Sequence, residues 1–185
     1  MKVFEKPGPQ NTDETCRIAV ERAIKISAPI VSATTGGASG VRLCEIAKEM
    51  GFSGDIVIVT HAFGSFEPGK NKLADEHRQA MLDSGARFVT AAHALSGVER
   101  GISRKFQGAY PAEIMAHTLR ILGHGVKVAV EIGCMALDAG QIEYGKEIVC
   151  IGGTGHGLDT AVVMSPAHAN SIFDTNIHEI LCMPY

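Results

Sequence analysis

The sequence predicts an α/β fold: a three-layer αβα sandwich around a mostly parallel sheet. Three observations carry that expectation. Apolar runs at 30–33, 55–60, 87–90 and 147–151 read as strands, and the stretch from Ile56 to Val59 is unbroken, as suits a parallel strand covered on both faces. Segments of helical periodicity lie between these runs, and strands alternating with helices of about 10–15 residues build parallel sheets. Glycine is abundant, 21 of 185 residues, and it clusters where strands give way to helices or to further strands. The length fits a single domain over 1–185, since domains run to roughly 100–200 residues.

The elements follow in order. Val3 and Phe4 make a short opening strand. Asn11 stands as a helix N-cap with Glu14 in the capping-box position, and Cys16, Ala19, Val20, Ala23, Ile24 and Ile26 then recur at helical spacing. Pro29 ends that helix and the strand 30–33 follows. After the loop 34–40 a second helix carries Val41, Cys44, Ala47 and Met50, with Gly51 as its C-terminal cap. The strand 55–60, a helix over 71–84 closed by Gly85, and the strand 87–90 come next. Residues 91–108 read as loop plus a short helix that exposes Arg100, Arg104 and Lys105. Pro111 suits the first turn of a helix running to about Leu122. From Val126 to Val130 apolar residues alternate as in a strand, but the run continues through Cys134, Met135 and Leu137, too long for one; a helix ending before Gly140 is expected. The strand 147–151 leads into a glycine loop, and runs at 160–164 and 178–183 add a hairpin-like edge.

Composition excludes several functions. With 17 Lys+Arg against 20 Asp+Glu the net charge is −3, which offers no footprint for nucleic acid or an anionic membrane surface. No apolar stretch approaches the ~20 residues of a membrane span, and the first ten residues do not read as a secretory signal, so a cytoplasmic location is expected. The five cysteines are odd in number and widely spaced in apolar surroundings, consistent with buried free thiols. No spacing points to a metal site.

In parallel α/β sheets ligands bind beyond the carboxyl ends of the strands, which selects the loops 34–40, 61–69, 91–97 and 152–159. The first, Thr34, Thr35, Gly36, Gly37, Ala38, Ser39 and Gly40, joins a strand to a helix. Its glycines let backbone N–H groups converge, the helix end adds partial positive charge, and Thr35 and Ser39 offer hydroxyls, so the natural guest is phosphate. It is not a nucleotide-hydrolysing phosphate loop, because no Gly-Lys-[Ser/Thr] follows. A plain turn whose Ser39 caps the helix is the competing reading. The second loop, Gly152, Gly153, Thr154, Gly155, His156 and Gly157, joins two strands and so is not a dinucleotide fingerprint, but it can wrap a ligand, with His156 as donor or acid–base group and Asp159 as acceptor. His61 and His93 each follow a strand and should face the same sheet edge, where with His156 they are expected to surround the rest of a ligand whose phosphate lies on 34–40. Arg42, at the start of the second helix, either reaches a phosphate or faces water.

The succession Asn11-Thr12-Asp13-Glu14-Thr15-Cys16-Arg17-Ile18-Ala19-Val20, then Thr34-Thr35-Gly36-Gly37-Ala38-Ser39-Gly40, resembles the C-terminal α/β domain of pyruvate kinase. So does the stretch from Gly145 to Gly153 with the strand that closes it. The glycine motifs are similar, more narrowly, to stand-alone and mostly archaeal proteins with this domain. The resemblance implies the pyruvate kinase C-terminal domain-like fold. It also implies a site where a phosphorylated sugar effector sets its phosphate on 34–40, lined by 153–157. In stand-alone relatives it implies flavin mononucleotide (FMN), and it implies subunit packing into a homo-oligomer. No pyruvate kinase activity is expected of these residues, since the catalytic barrel of that enzyme typically needs about 250. The expectation is a binding protein for a small phosphorylated molecule, FMN first. The alternatives are an enzyme using a flavin or phosphosugar with His61 or His156 as acid–base group, and a structural oligomerisation domain.

Overall fold

The computed structural model describes residues 1–185. Seven strands, β1 (Lys2–Phe4), β2 (Ile30–Ala33), β3 (Ile56–Thr60), β4 (Arg87–Thr90), β5 (Ile148–Gly152), β6 (Thr160–Ser165) and β7 (Asn176–Pro184), form one sheet. Their order is β1-β7-β6-β5-β2-β3-β4. The pairs β1–β7, β2–β3, β2–β5 and β3–β4 are parallel, whereas β5–β6 and β6–β7 are antiparallel. The central strands are buried along their whole length, β3 and β5 at every position.

There are six helices, α1 (Thr12–Ile26), α2 (Ala38–Glu49), α3 (Asp75–Asp83), α4 (Gly97–Phe106), α5 (Pro111–Arg120) and α6 (His124–Asp138); α5 packs on α6 and α4 on α5, and the other four cover the sheet. On one face Cys16, Ala19, Val20 and Ala23 of α1 and Leu43, Cys44 and Ile46 of α2 pack with Met81 of α3 against Ile30, Ile58, Val149 and Ile151. On the other, Val126, Ala129, Ile132, Met135 and Ala136 of α6 pack against Val31, Val57, Val59, Cys150 and Val162. Alternate residues of β2, Ile30 and Val31, thus enter opposite cores, as the period of two requires. Those two cores make the three layers. Burying a side chain such as Leu43, Ile46 or Ile58 stabilises the fold by roughly 1.5–3 kcal/mol each. No helix is long and apolar enough to cross a membrane, and all five cysteines are free and buried.

Two local expectations are corrected and a third is met. Asn11 does not cap α1. It lies in helical backbone at the end of a short 3-10 turn (Pro9–Asn11), and its side-chain amide donates to the Lys6 carbonyl at 2.8 Å. The third helix begins at Asp75, not at 71, because the Asn71 side chain draws the chain into a local turn: its Oδ1 accepts the Leu73 N–H at 2.9 Å and its Nδ2 donates to the His61 carbonyl at 2.7 Å. The long apolar run after His124 is a helix, as its length required, with buried residues on every side of its central turns.

Candidate functional site

The strands β2 and β5 lie side by side and parallel, yet their chains leave in opposite senses. β2 continues through α2 to β3 on one flank, while β5 turns back into β6 on the other. This is the switch point at which open α/β sheets form a crevice. A cleft of 1320 Å³ opens there, bounded by the loops after β2, β3, β4 and β5 and by one side of α6.

The 34–40 loop forms one wall. Thr34 is 6 % exposed, and its Oγ1 accepts the Gly37 N–H at 3.2 Å and lies 3.1 Å from Ser39 Oγ, so its hydroxyl closes the turn. Gly37 sits at φ 103°, where a Cβ would lie 2.4 Å from Cβ of His77; only glycine fits. Ser39 is inside the first turn of α2 and does not cap it. The N–H groups of Ala38, Ser39 and Gly40 consequently have no protein acceptor. Thr35 and Ser39 are half-buried, Gly36 is exposed, and all three line the cleft. Arg42 lines the cleft with its side chain 32 % exposed, and it is also held by Asp13, with two bonds of 2.8 and 2.7 Å, and by Glu45.

The glycine loop forms the facing wall, but its parts differ in role. Asp159 is fully buried. Its carboxylate accepts the N–H groups of Gly8 and Thr154, both at 3.2 Å, and the Thr160 hydroxyl at 2.9 Å. It clasps the loop to the N-terminal segment and does not reach the cleft lining, which corrects its expected place as a ligand acceptor. Gly157, at φ 73°, packs where a Cβ would meet Pro9 at 2.4 Å, and a Cβ on Gly153 would meet the Gly157 carbonyl at 2.2 Å. These two glycines let the loop fold on itself. Gly155 and His156 are exposed and border the cleft together with Gly153 and Gly157. Thr154, half-buried, is not among the lining residues.

His61 and His93 meet as the sequence suggested. Their rings stack with centroids 4.6 Å apart, and Phe66 meets His61 edge-on at 4.9 Å. Burial holds both imidazoles below the usual histidine range, the neighbouring His93 adding to the effect on His61. Burial also lowers His124, with Arg120 and Lys127 acting in the same direction.

Sequence reasoning missed the charged pair beneath these histidines. Lys127 and Glu131, one turn apart on α6, form an ion pair with side chains only 8 % and 4 % exposed. Glu131 also accepts the Leu95 N–H at 3.0 Å, and its Oε2 lies 3.8 Å from His93 Nδ1. Gly125 makes this possible. A Cβ there would lie 2.1 Å from Thr160 Oγ1, and one on Gly152 would lie 2.4 Å from the Gly125 carbonyl, so the first turn of α6 sits directly on the ends of β5 and β6. The available signal was two charges inside an otherwise apolar helix.

Five cationic side chains, Arg42, Arg100, Arg104, Arg120 and Lys127, line the cleft against two carboxylates, Asp13 and Glu131. Both carboxylates are already paired, which leaves Arg100, Arg104 and Arg120 without an acidic partner. No thiol contributes reactivity: burial pushes Cys16 and Cys134 up to about 12 and Cys44 and Cys182 up to about 11.

The family model for the pyruvate kinase alpha/beta domain matches residues 13–164, from α1 through β6. The chain belongs to that family. Among solved structures it is similar to a hydrogen sulfide-producing enzyme complexed with an alpha-aminoacrylate intermediate, at 13% identity and TM-score 0.29 over 70% of this chain and 38% of that one. It is also similar to O-acetyl serine sulfhydrylase isoform 3 and to cysteine synthase, both of Entamoeba histolytica. Each is 15% identical over 75% of this chain and 47% of the other, with TM-scores of 0.29 and 0.31. The chain thus spans less than half the length of these structures, and at such TM-scores neither a ligand nor a reaction carries over. In this pyruvate kinase alpha/beta domain, the 34–40 loop, the exposed part of the glycine loop and the histidine pair share one cleft.

Proposed function

We propose that this pyruvate kinase alpha/beta domain protein, a stand-alone protein of the archaeal type, binds a small phosphate monoester in the cytoplasm, with the phosphate on the 34–40 loop. The observation that carries the reading is the open first turn of α2. The unpaired N–H groups of Ala38, Ser39 and Gly40 and the hydroxyls of Thr35 and Ser39 border a cleft in which three arginines lack a partner. A helix N-terminus with free donors and unpaired guanidinium groups suits an anion.

The rest of the ligand extends toward β4. From β2 to β4 is two strand spacings, roughly 10 Å, the reach of a five- or six-carbon chain from its phosphate. FMN fits this span: its ribityl phosphate would lie on 34–40 and its ring system against His61, His93 and Phe66. When bound, the flavin would supply electron or hydride transfer. A sugar phosphate fits the same span. Gly153, Gly155, His156 and Gly157 would close over either ligand, and packing into a homo-oligomer remains part of the proposal.

Titration calorimetry with FMN and with ribose 5-phosphate tests the reading. Each charge-assisted contact is worth about 1.5–3 kcal/mol, so Thr35→Ala combined with Ser39→Ala should weaken binding by about tenfold or more. Unchanged affinity in that double variant would overturn the phosphate site, as would failure of the unmodified protein to bind any phosphate monoester.

A further inference from the structure

Stability gives little reason for the Lys127–Glu131 pair. Removing two charges from water is expensive, and apolar replacements of similar volume commonly fold as well or better. Yet this pair interrupts an apolar helix at the point where α6 borders the cleft, and its carboxylate faces an imidazole.

We propose that His93, backed by Glu131 and Lys127, is the acid–base catalyst of an enolising site, and that its substrate is an open-chain sugar phosphate. The inference rests on the phosphate-anchor reading above. Glu131 lies on the Nδ1 side of His93, within ion-pair distance and beyond a hydrogen bond, which leaves Nε2 as the nitrogen that takes a proton. Such contacts are often long before substrate binds. Glu131 is itself fixed from two other directions, by Lys127 and by the Leu95 N–H. It is therefore a positioning residue: it orients the ring and offsets the imidazolium that forms. Lys127 is also a lining residue of the cleft, together with Arg100 and Arg120, so a developing oxyanion finds positive charge.

In the step, Nε2 of His93 takes the proton from the carbon next to the substrate carbonyl. The C–H electron pair becomes the carbon–carbon double bond of an enediolate, and the carbonyl π pair moves onto oxygen beside Lys127. The imidazolium then returns the proton to the same carbon, or to the former carbonyl carbon as the neighbouring hydroxyl passes its own proton to the oxyanion; either return regenerates the base and consumes no co-reactant. The span of about two strand spacings between the 34–40 loop and the β4 end sets the substrate length. It matches a five- or six-carbon chain with its phosphate at the far end.

The groups around His93 fix the sign of its pH dependence. Burial lowers its pKa; Glu131 on α6 opposes that, while Lys127 on α6 and Arg100 on α4 add to it, and His61 stacks beside it. The base is therefore already neutral near pH 7, and the proton-transfer rate should fall only on the acid side of the ordinary histidine range. Neutralising Glu131 removes the one group that raises the pKa, so the acid limb should move to lower pH while the maximal rate drops.

The test is proton NMR in deuterium oxide on the full chain, with ribose 5-phosphate and glucose 6-phosphate as probes. Loss of the signal of the proton beside the carbonyl, or appearance of the ketose, is the expected result with at least one probe. His93→Gln, with His93→Asn as a second replacement, should slow exchange by about 100-fold or more, a larger change than calorimetry shows in sugar phosphate affinity. Glu131→Gln should shift the acid limb as stated. A protein that binds FMN or either sugar phosphate but exchanges neither probe's proton overturns this inference and leaves the phosphate site standing. A His93 variant with unchanged exchange overturns it too. Binding of no phosphate monoester instead overturns the site on which it rests.

Discussion

Replacing Asp159 by alanine separates two roles that a carboxylate beside a glycine loop can play. The side chain is fully buried and takes three donors: the N–H of Gly8, 151 residues away in sequence, the N–H of Thr154, and the Thr160 hydroxyl. Thr154 is half-exposed, so water can replace the lost acceptor there. Gly8 and Thr160 are buried and would be left unsatisfied, at about 1–3 kcal/mol each. The expected loss of stability is therefore about 2–6 kcal/mol, read from urea unfolding by linear extrapolation. In thermal unfolding each kcal/mol corresponds to about 2–4 °C for a protein of this size. Amide exchange should accelerate at Gly8 and Thr154 well before it does in β5. Asp159→Asn keeps the shape and one acceptor oxygen and should lose less. If Asp159→Ala unfolds within about 1 kcal/mol of the unmodified protein and loses ligand binding instead, the carboxylate is a ligand group and the clasp is refuted.

Three further outcomes follow from the same packing. Gly37→Ala forces a side chain into φ 103° and onto His77, so it should destabilise the protein by more than about 1 kcal/mol and weaken phosphate binding by distorting the turn, both measurable in one calorimetric series. Lys127→Met alone strands Glu131 and should cost about 3–5 kcal/mol, whereas Lys127→Met with Glu131→Leu should unfold at the same urea concentration as the unmodified protein or higher; a double variant as unstable as the single one would show the pair to be structural. His61, His93 and His124 have lowered pKa values, so the unfolded chain binds more protons than the folded one below the ordinary histidine pKa of 6.5. Their contribution is fully present above that pH and lost as pH falls toward the folded values. The urea midpoint should therefore decline below pH 6.5, and His61→Asn with His93→Asn should flatten that decline.

Much of the frame was legible because it rests on local rules. An unbroken apolar run such as β3 identifies a strand covered twice, and the length of the run after His124 outweighs its five alternating residues. Placing His61 and His93 directly after two adjacent strands was enough to bring them together. The misreadings share one physical cause: side chains found partners that sequence distance conceals. Asn11 has the identity of a cap, but the carbonyl of Lys6 takes its amide. Arg42 stands at a helix start beside the 34–40 loop, and its bond to Asp13 on the neighbouring helix was not legible from sequence. Asp159 looks like a ligand acceptor until Gly8 arrives from the other end of the chain. Lys127 and Glu131 have the spacing of an ordinary solvated helix pair, and only the close seating of α6 through Gly125 and Gly152 makes them a buried one.

The positive lining of the cleft does not reflect composition, because the chain as a whole is acidic, at −3. It comes from four places: Arg42 on α2, Lys127 on α6, Arg120 at the end of α5, and Arg100 and Arg104 on α4. Of these elements α4 is the least secured. It has no buried residue, its apolar side chains Val98 and Phe106 are 82% and 68% exposed, and none of its arginines has an acidic partner. Elements with few buried contacts open at low free energy, and α4 is fastened through α5, where Ser103 donates to the Glu113 carboxylate at 2.7 Å and Glu99 accepts the Glu113 N–H at 2.9 Å. An anion there gives Arg100 and Arg104 the partner that the rest of the chain withholds. If the proposed phosphate monoester binds there, ligand occupancy and the order of α4 are coupled, and amide exchange across 97–106 should slow when ribose 5-phosphate is added.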